Sequence, residues 1–96
     1  MASKTPNTVT EHSVGSNNLI VATFSTNDWD NADTWDSYIP SVVGYWTNCT
    51  DDPTQGKEKV DVAHSQNRYG TDNSSRFTFY TGEDNRTGIL YVLAKK

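Results

Sequence analysis

Residues 27–36 hold the densest group of side chains in this chain that could bind a metal ion or another ligand. The segment reads Asn-Asp-Trp-Asp-Asn-Ala-Asp-Thr-Trp-Asp, with four aspartates and two tryptophans in ten residues. Carboxylates at alternate positions of a tight loop suit Ca²⁺, and tryptophan rings suit sugar stacking or a protein interface. The candidate interaction surface consists of Trp29, Trp35, Asp28, Asp30 and Asp33.

The spacing of the aspartates departs from that of an EF-hand calcium loop. Asp28 and Asp30 begin such a pattern, but the sixth position, which needs glycine, is Asp33, and the twelfth, which needs glutamate, is Ile39. This excludes an EF-hand and leaves an irregular Ca²⁺ site as an alternative to a solvated acidic loop. We expect no metal and no cofactor.

The two tryptophans of this segment allow two interpretations. A ring among aspartates either packs inward and anchors the polar loop to the core, or stays exposed as a binding platform. We favour anchoring for Trp29 and Trp35. Tyr45 and Trp46 lie in a segment with strand character, so we expect them in the core or on a sheet face.

No residue pattern indicates catalysis. His12, His64 and Cys49 are isolated in the sequence, and the chain has neither a Gly-x-Ser-x-Gly elbow nor a glycine-rich phosphate loop. Twelve acidic residues offer many carboxylate pairs and therefore define none. We expect a protein that is not an enzyme, and the single cysteine excludes an intrachain disulfide.

Charge and length limit the classes of partner. The chain has 96 residues, a net charge of -4 and a pI near 4.8, which argues against a nucleic acid or an anionic membrane surface. Residues 1–56 carry one base and seven acids, while residues 57–96 carry seven bases and five acids, so an acidic side could face a basic partner if the halves form different faces. No apolar leader or membrane span is apparent, so we expect synthesis on the cytoplasmic side of the membrane.

Hydrophobic periodicity predicts an all-β fold. Short blocks of alternating or continuous apolar residues are separated by Gly, Asn, Asp and Pro, and good helix formers do not cluster. Residues 1–7 are expected to form an extended arm and residues 8–96 a single β domain, a small antiparallel β-sandwich or barrel of about six or seven strands. The predicted strands are 8–14 at an edge, 19–25 at the centre, 41–50 with a bulge near Gly44, 59–64, 76–81 and 87–94, with a short extended or helical piece at 34–37.

Several short segments together resemble the small β-rich structural proteins encoded among the virion genes of tailed bacteriophages. The segments are Asp33-Thr34-Trp35, Val42-Val43-Gly44-Tyr45-Trp46, Asp52-Pro53-Thr54, Phe77-Thr78-Phe79, Glu83-Asp84 and Leu90-Tyr91-Val92-Leu93. The similarity spans roughly residues 8–94. It implies a capsid-decorating (cement) or other virion-surface protein without cofactor, located in the virion, which binds the major capsid protein or other virion proteins and sister copies as a homo-oligomer.

Two other functions remain open from the sequence. The first is a carbohydrate-binding or host-adhesion module that uses exposed Trp29 and Trp35 rings. The second is an adhesion domain that Ca²⁺ stabilises through the acidic segment.

Overall fold

The computed structural model describes residues 3–50, 60–65, 75–82 and 85–96, and within them every regular element is a strand. The predicted all-β antiparallel sandwich is confirmed. The composition of the sequence also predicts a turn at 51–56 and a loop at 65–75. The turn and most of the loop lie outside the described residues. The strands are β1 (Thr8–Val14), β2 (Asn17–Trp29), β3 (Asp33–Asp36), β4 (Val42–Cys49), β5 (Val60–Ser65), β6 (Arg76–Thr81) and β7 (Arg86–Lys95).

The strands form two antiparallel sheets that pack face to face. One sheet has the order β1-β2-β7-β4 and the other β3-β6-β5. The chain passes between the sheets after β2, where Ala32 takes a positive φ of 68°, and again after β3. The sheets also approach each other at one side, where the Thr47 hydroxyl of β4 donates to the Val60 carbonyl of β5 at 2.6 Å.

The two longest strands are central in the larger sheet because both carry apolar residues on both faces. On the inner face of β2, Ile20, Ala22 and Phe24 are buried, as the continuous apolar run predicts. A continuous apolar run at 19–25 also predicts burial of the outer face, but Leu19 and Val21 on that face are only half-buried. The β2 strand also runs four residues beyond the predicted end and reaches Trp29 across an irregularity in its pairing with β7.

The β4 strand contains the irregularity that its glycine predicts. Val42 pairs with Ala94 and Gly44 pairs with Leu93, so Val43 is the extra residue of a bulge. Beyond the bulge, Tyr45 and Thr47 face the other sheet, whereas Trp46 faces outward beside Tyr91. The bulge therefore decides which β4 side chains reach solvent.

Aromatic rings fill the space between the sheets. Phe24 of the larger sheet contacts Phe79 and Trp35 of the smaller one at centroid distances of 5.4 and 6.0 Å. Phe77 and Phe79 are fully buried, as the alternation in β6 predicts. Gly88 lies directly under the Trp29 ring, where any side chain would collide with it.

Residues 3–7, the predicted arm, lie along their own domain. The Lys4 amide donates to the Thr34 carbonyl at 2.7 Å, and the Asn7 amide donates to the Thr23 carbonyl at 2.7 Å. The Ser25 amide donates to the Asn7 side-chain oxygen at 2.7 Å, so the arm bridges the two sheets. No helix in the described chain has the length and apolar character needed to cross a membrane.

Candidate interaction surface

Both tryptophans of the acidic segment are buried. Trp29 is 0% exposed and stacks on Phe79 with ring centroids 4.6 Å apart, and Trp35 is 9% exposed and stacks on Phe77 at 6.0 Å. They anchor the segment to the core, as we favoured. The alternative of exposed Trp29 and Trp35 rings as a sugar platform is wrong, because neither ring has a free face.

The aspartates of this segment hold the turn between β2 and β3. Asp33 is 1% exposed, and its carboxylate accepts the Asp30 amide at 2.8 Å, while the Asp33 amide donates to the Asp30 carbonyl at 3.1 Å. The Asp30 carboxylate accepts the Asn85 amide at 2.9 Å. These bonds replace the backbone partners that a sharp turn lacks, so the carboxylates have a structural use.

Basic side chains offset the charge of the segment. The Lys4 ammonium lies 3.8 Å from carboxylate oxygens of both Asp28 and Asp33. Arg76 binds the two oxygens of Asp36 at 2.6 and 3.0 Å, a bidentate pair. Within the described ranges, no three His, Cys, Asp or Glu side chains are grouped closely enough to hold a metal ion.

The acidic and basic halves of the chain do not form separate faces. The β2 strand from the first half pairs with β7 from the second, and β3 pairs with β6 in the same way. The condition for an acidic side opposite a basic side, that the two halves form different faces, therefore does not hold for the described strands, because the sheet topology interleaves them.

His64 is packed in the wall of the sandwich. Its Nε2 lies 2.7 Å from the Ser75 hydroxyl, and its ring contacts Phe77 with centroids 4.6 Å apart. Burial lowers the pKa of His64 below its usual value. Ser75 is fully buried, so its contact with His64 lies inside the wall of the sandwich.

The outer face of the larger sheet is the surface that sequence reasoning missed. Trp46 is 49% exposed and stacks on Tyr91, with ring centroids 5.1 Å apart and planes 13° from parallel. The register places apolar residues of β2 and β7 beside this pair. The outer face consists of Leu19, Val21, Trp46, Ile89, Tyr91 and Leu93.

This outer face is apolar and carries no acid. The positions paired with Ile89, Tyr91 and Leu93 on the two neighbouring strands are Thr, Val, Leu, Asn, Trp and Gly. Trp46 is exposed and the other five side chains are half-buried, so together they form a contiguous apolar patch on one sheet face, a feature that often marks an interaction site. The sequence signal that could have indicated this surface is that β7 is apolar on both faces. Packing against one partner sheet buries only one of these faces, so the apolar residues on the other face need a different explanation.

The β1 strand leaves a second surface open. It is the edge strand of the larger sheet, pairs only with β2, and all seven of its residues are exposed. Its inner side borders a cleft of about 420 Å³, whose lining includes Glu11, Tyr38 and Lys96. An open edge presents backbone N–H and C=O groups that can pair with another strand.

Comparison with known proteins gave no match to a family model, to a curated protein or to a solved structure.

Proposed function

We propose that this chain is a non-enzymatic structural protein of a virion, a capsid-decorating or other virion-surface protein that binds capsid protein and sister copies. The outer face of the larger sheet is the observation that carries the proposal. It is broad and apolar, and its center is the exposed Trp46 stacked on Tyr91. The similarity of the sequence to β-rich structural proteins of tailed phages makes the virion the natural location for such a surface.

The composition of the outer face indicates what it contacts. Burying this face desolvates no carboxylate, so an apolar protein surface is a better partner than a basic or a nucleic-acid surface. Tryptophan and tyrosine are enriched among the residues that dominate binding energy at protein interfaces. A chain of 96 residues also builds only a modest core of its own, and contacts with an assembly would add to its stability.

High copy number on a regular particle suits this kind of surface. Each individual contact can be weak, because contact with both the particle and neighbouring copies raises the effective affinity without any new chemistry. The outer face of the sheet would meet the particle, and the open β1 edge would remain for a neighbour.

The test measures binding to particles. We expect mass spectrometry of purified virions to detect the chain in many copies, and purified protein to co-sediment with particles that lack it. Trp46→Ser removes the center of the outer face and is expected to weaken co-sedimentation about 30-fold, the equivalent of about 2 kcal/mol for one dominant interface residue.

Tyr80 supplies a matched control, because it is 48% exposed and lies on β6 of the other sheet. Tyr80→Ser should leave co-sedimentation unchanged, and both variants should keep the wild-type thermal unfolding temperature within a few degrees. Absence of the chain from virions, together with no binding to particles, would refute the proposal. Equal effects of the two substitutions would refute the choice of surface.

A further inference from the structure

The open edge of the larger sheet carries an acid and a base in positions that a second copy could pair. Glu11 and Lys96 both line the cleft on the inner side of β1. Lys96 donates from its ammonium to the Ser13 hydroxyl, which fixes the positive charge beside that residue. Glu11 takes part in none of the ion pairs described above, which join Lys4 to Asp28 and Asp33, and Arg76 to Asp36.

Two-fold symmetry limits how two β1 strands can meet edge to edge. The axis must be perpendicular to the sheet, so the inner faces of both copies lie on the same side. Directly opposed residues in an antiparallel pair share a face. Inward residues, which include Glu11 and Ser13, therefore oppose inward residues, and the register can shift only in steps of two.

Charge selects one register among those that pair most of the strand. An axis through Glu11 would place the two Glu11 carboxylates opposite each other, which is destabilising. An axis through Thr10 would place Glu11 opposite Val9. An axis through His12 places Glu11 of each copy opposite Ser13 of the other, where the Lys96 ammonium lies.

We infer that this chain forms a two-fold dimer in which β1 pairs antiparallel with β1 of a second copy, centred on His12, with two Glu11–Lys96 ion pairs across the interface. Opposed side chains in such a pair have Cβ atoms about 4.5–5.5 Å apart, within reach of both charges. The two four-stranded sheets become one continuous eight-stranded sheet, and the β1 edge of each copy is covered by the other copy. The outer faces of the two copies then form one larger apolar surface.

This dimer specifies the contact between sister copies that the proposed function requires, and its biological role rests on that proposed function. It is tested on purified protein without particles, so the two can fail separately. If the protein stays monomeric but binds virions through Trp46, only the dimer is refuted. If it dimerises but is absent from virions, only the proposed function is refuted.

The first experiment is a charge exchange read by sedimentation velocity over a range of protein concentrations. Glu11→Lys and Lys96→Glu each create like charges across the interface and are expected to raise the dimer dissociation constant about tenfold. The double variant with both substitutions restores opposite charges and should recover dimerisation. Asp61→Lys, at an exposed position on β5, changes the net charge by the same amount as Glu11→Lys and should leave dimerisation unchanged.

The second experiment tests the register by cysteine crosslinking in a Cys49→Ser background. Under mild oxidation, His12→Cys should form a disulfide-linked dimer rapidly, because the two positions oppose each other at the axis. Glu11→Cys should crosslink at least tenfold more slowly. A monomer at all concentrations, a dimer indifferent to Glu11→Lys, or faster crosslinking through Glu11→Cys would each overturn the inference.

Discussion

Replacement of Gly88 by alanine is the sharpest test of the packing between β2, β4 and β7. A Cβ atom at this position would lie 2.5 Å from the Asn48 carbonyl oxygen and 2.7 and 3.0 Å from two carbons of the Trp29 ring. All three distances are at or below 3.0 Å, so neighbouring atoms must move. The oxygen belongs to the backbone of β4 and cannot rotate away.

The Trp29 ring has little room to yield either. It is fully buried, stacked on Phe79 at 4.6 Å and packed against Phe24 at 5.0 Å. Overpacking a dense core typically costs about 1–3 kcal/mol, and the loss of glycine's unfolded-state freedom returns about 0.4–1 kcal/mol. We expect Gly88→Ala to lower the free energy of unfolding by about 2 kcal/mol, which corresponds to roughly 8–16 °C in Tm for a domain of this size.

Two other glycines separate steric clash from backbone strain as the cause of a loss in stability. Gly44 has no atom within 4 Å of an added Cβ, so Gly44→Ala should leave the free energy of unfolding unchanged or raise it by up to about 1 kcal/mol. Gly15 has equal room but a φ of 60°, so Gly15→Ala should cost about 1 kcal/mol through backbone strain alone.

Urea and thermal unfolding followed by circular dichroism measure all three variants, and near-ultraviolet signals report on the packing of the aromatic side chains, Trp29 among them. We expect Gly88→Ala alone to change the near-ultraviolet spectrum of the folded protein. A cost for Gly88→Ala no larger than for Gly44→Ala would refute the close approach of β7 to Trp29, and with it the packing described here.

Two further predictions concern ionisable groups. Asp33→Ala leaves the partly buried Asp30 amide without its carboxylate acceptor and should cost about 1–3 kcal/mol in urea unfolding. Asp28→Ala removes the more exposed partner of the same Lys4 and should cost less than about 1 kcal/mol. Equal costs would contradict the assigned roles. Burial lowers the pKa of His64 below 6.5, so the unfolded chain binds a proton that the folded chain does not, and stability should fall as pH decreases from about 6.5. His64→Gln should flatten this slope, measured by urea unfolding between pH 7.5 and 5.5. An unchanged slope in this variant would contradict the burial of the ring.

Much of the fold could be predicted because the strand signals are local. The alternation of Phe77 and Phe79, the apolar content of β7 and the glycine at the β4 bulge are each visible within a few residues. The end of β2 was missed because polar residues 26–28 interrupt the apolar pattern before Trp29. Pairing with Arg86 carries the strand through that polar stretch.

The site was less predictable because its determinants lie far apart in the sequence. Asp36 meets Arg76 forty residues later, and Asp33 meets Lys4 near the start of the chain. The acidic segment itself gives no indication of either basic partner, so its carboxylates seemed available to bind a ligand. The stacking of Trp46 on Tyr91 likewise depends on the register between β4 and β7, which only the three-dimensional fold defines.

The position of β7 in the larger sheet has a consequence for how the chain folds during synthesis. This strand is the last in the sequence of the described strands, yet it lies between β2 and β4 and completes the hydrogen bonds of both. While the ribosome still holds residues 86–95, β1 and β2 can form only a hairpin, and β4 has no partner in its sheet. We therefore expect the sheet to assemble only once residues 86–95 have left the ribosome, at the slow rate typical of long-range β pairing.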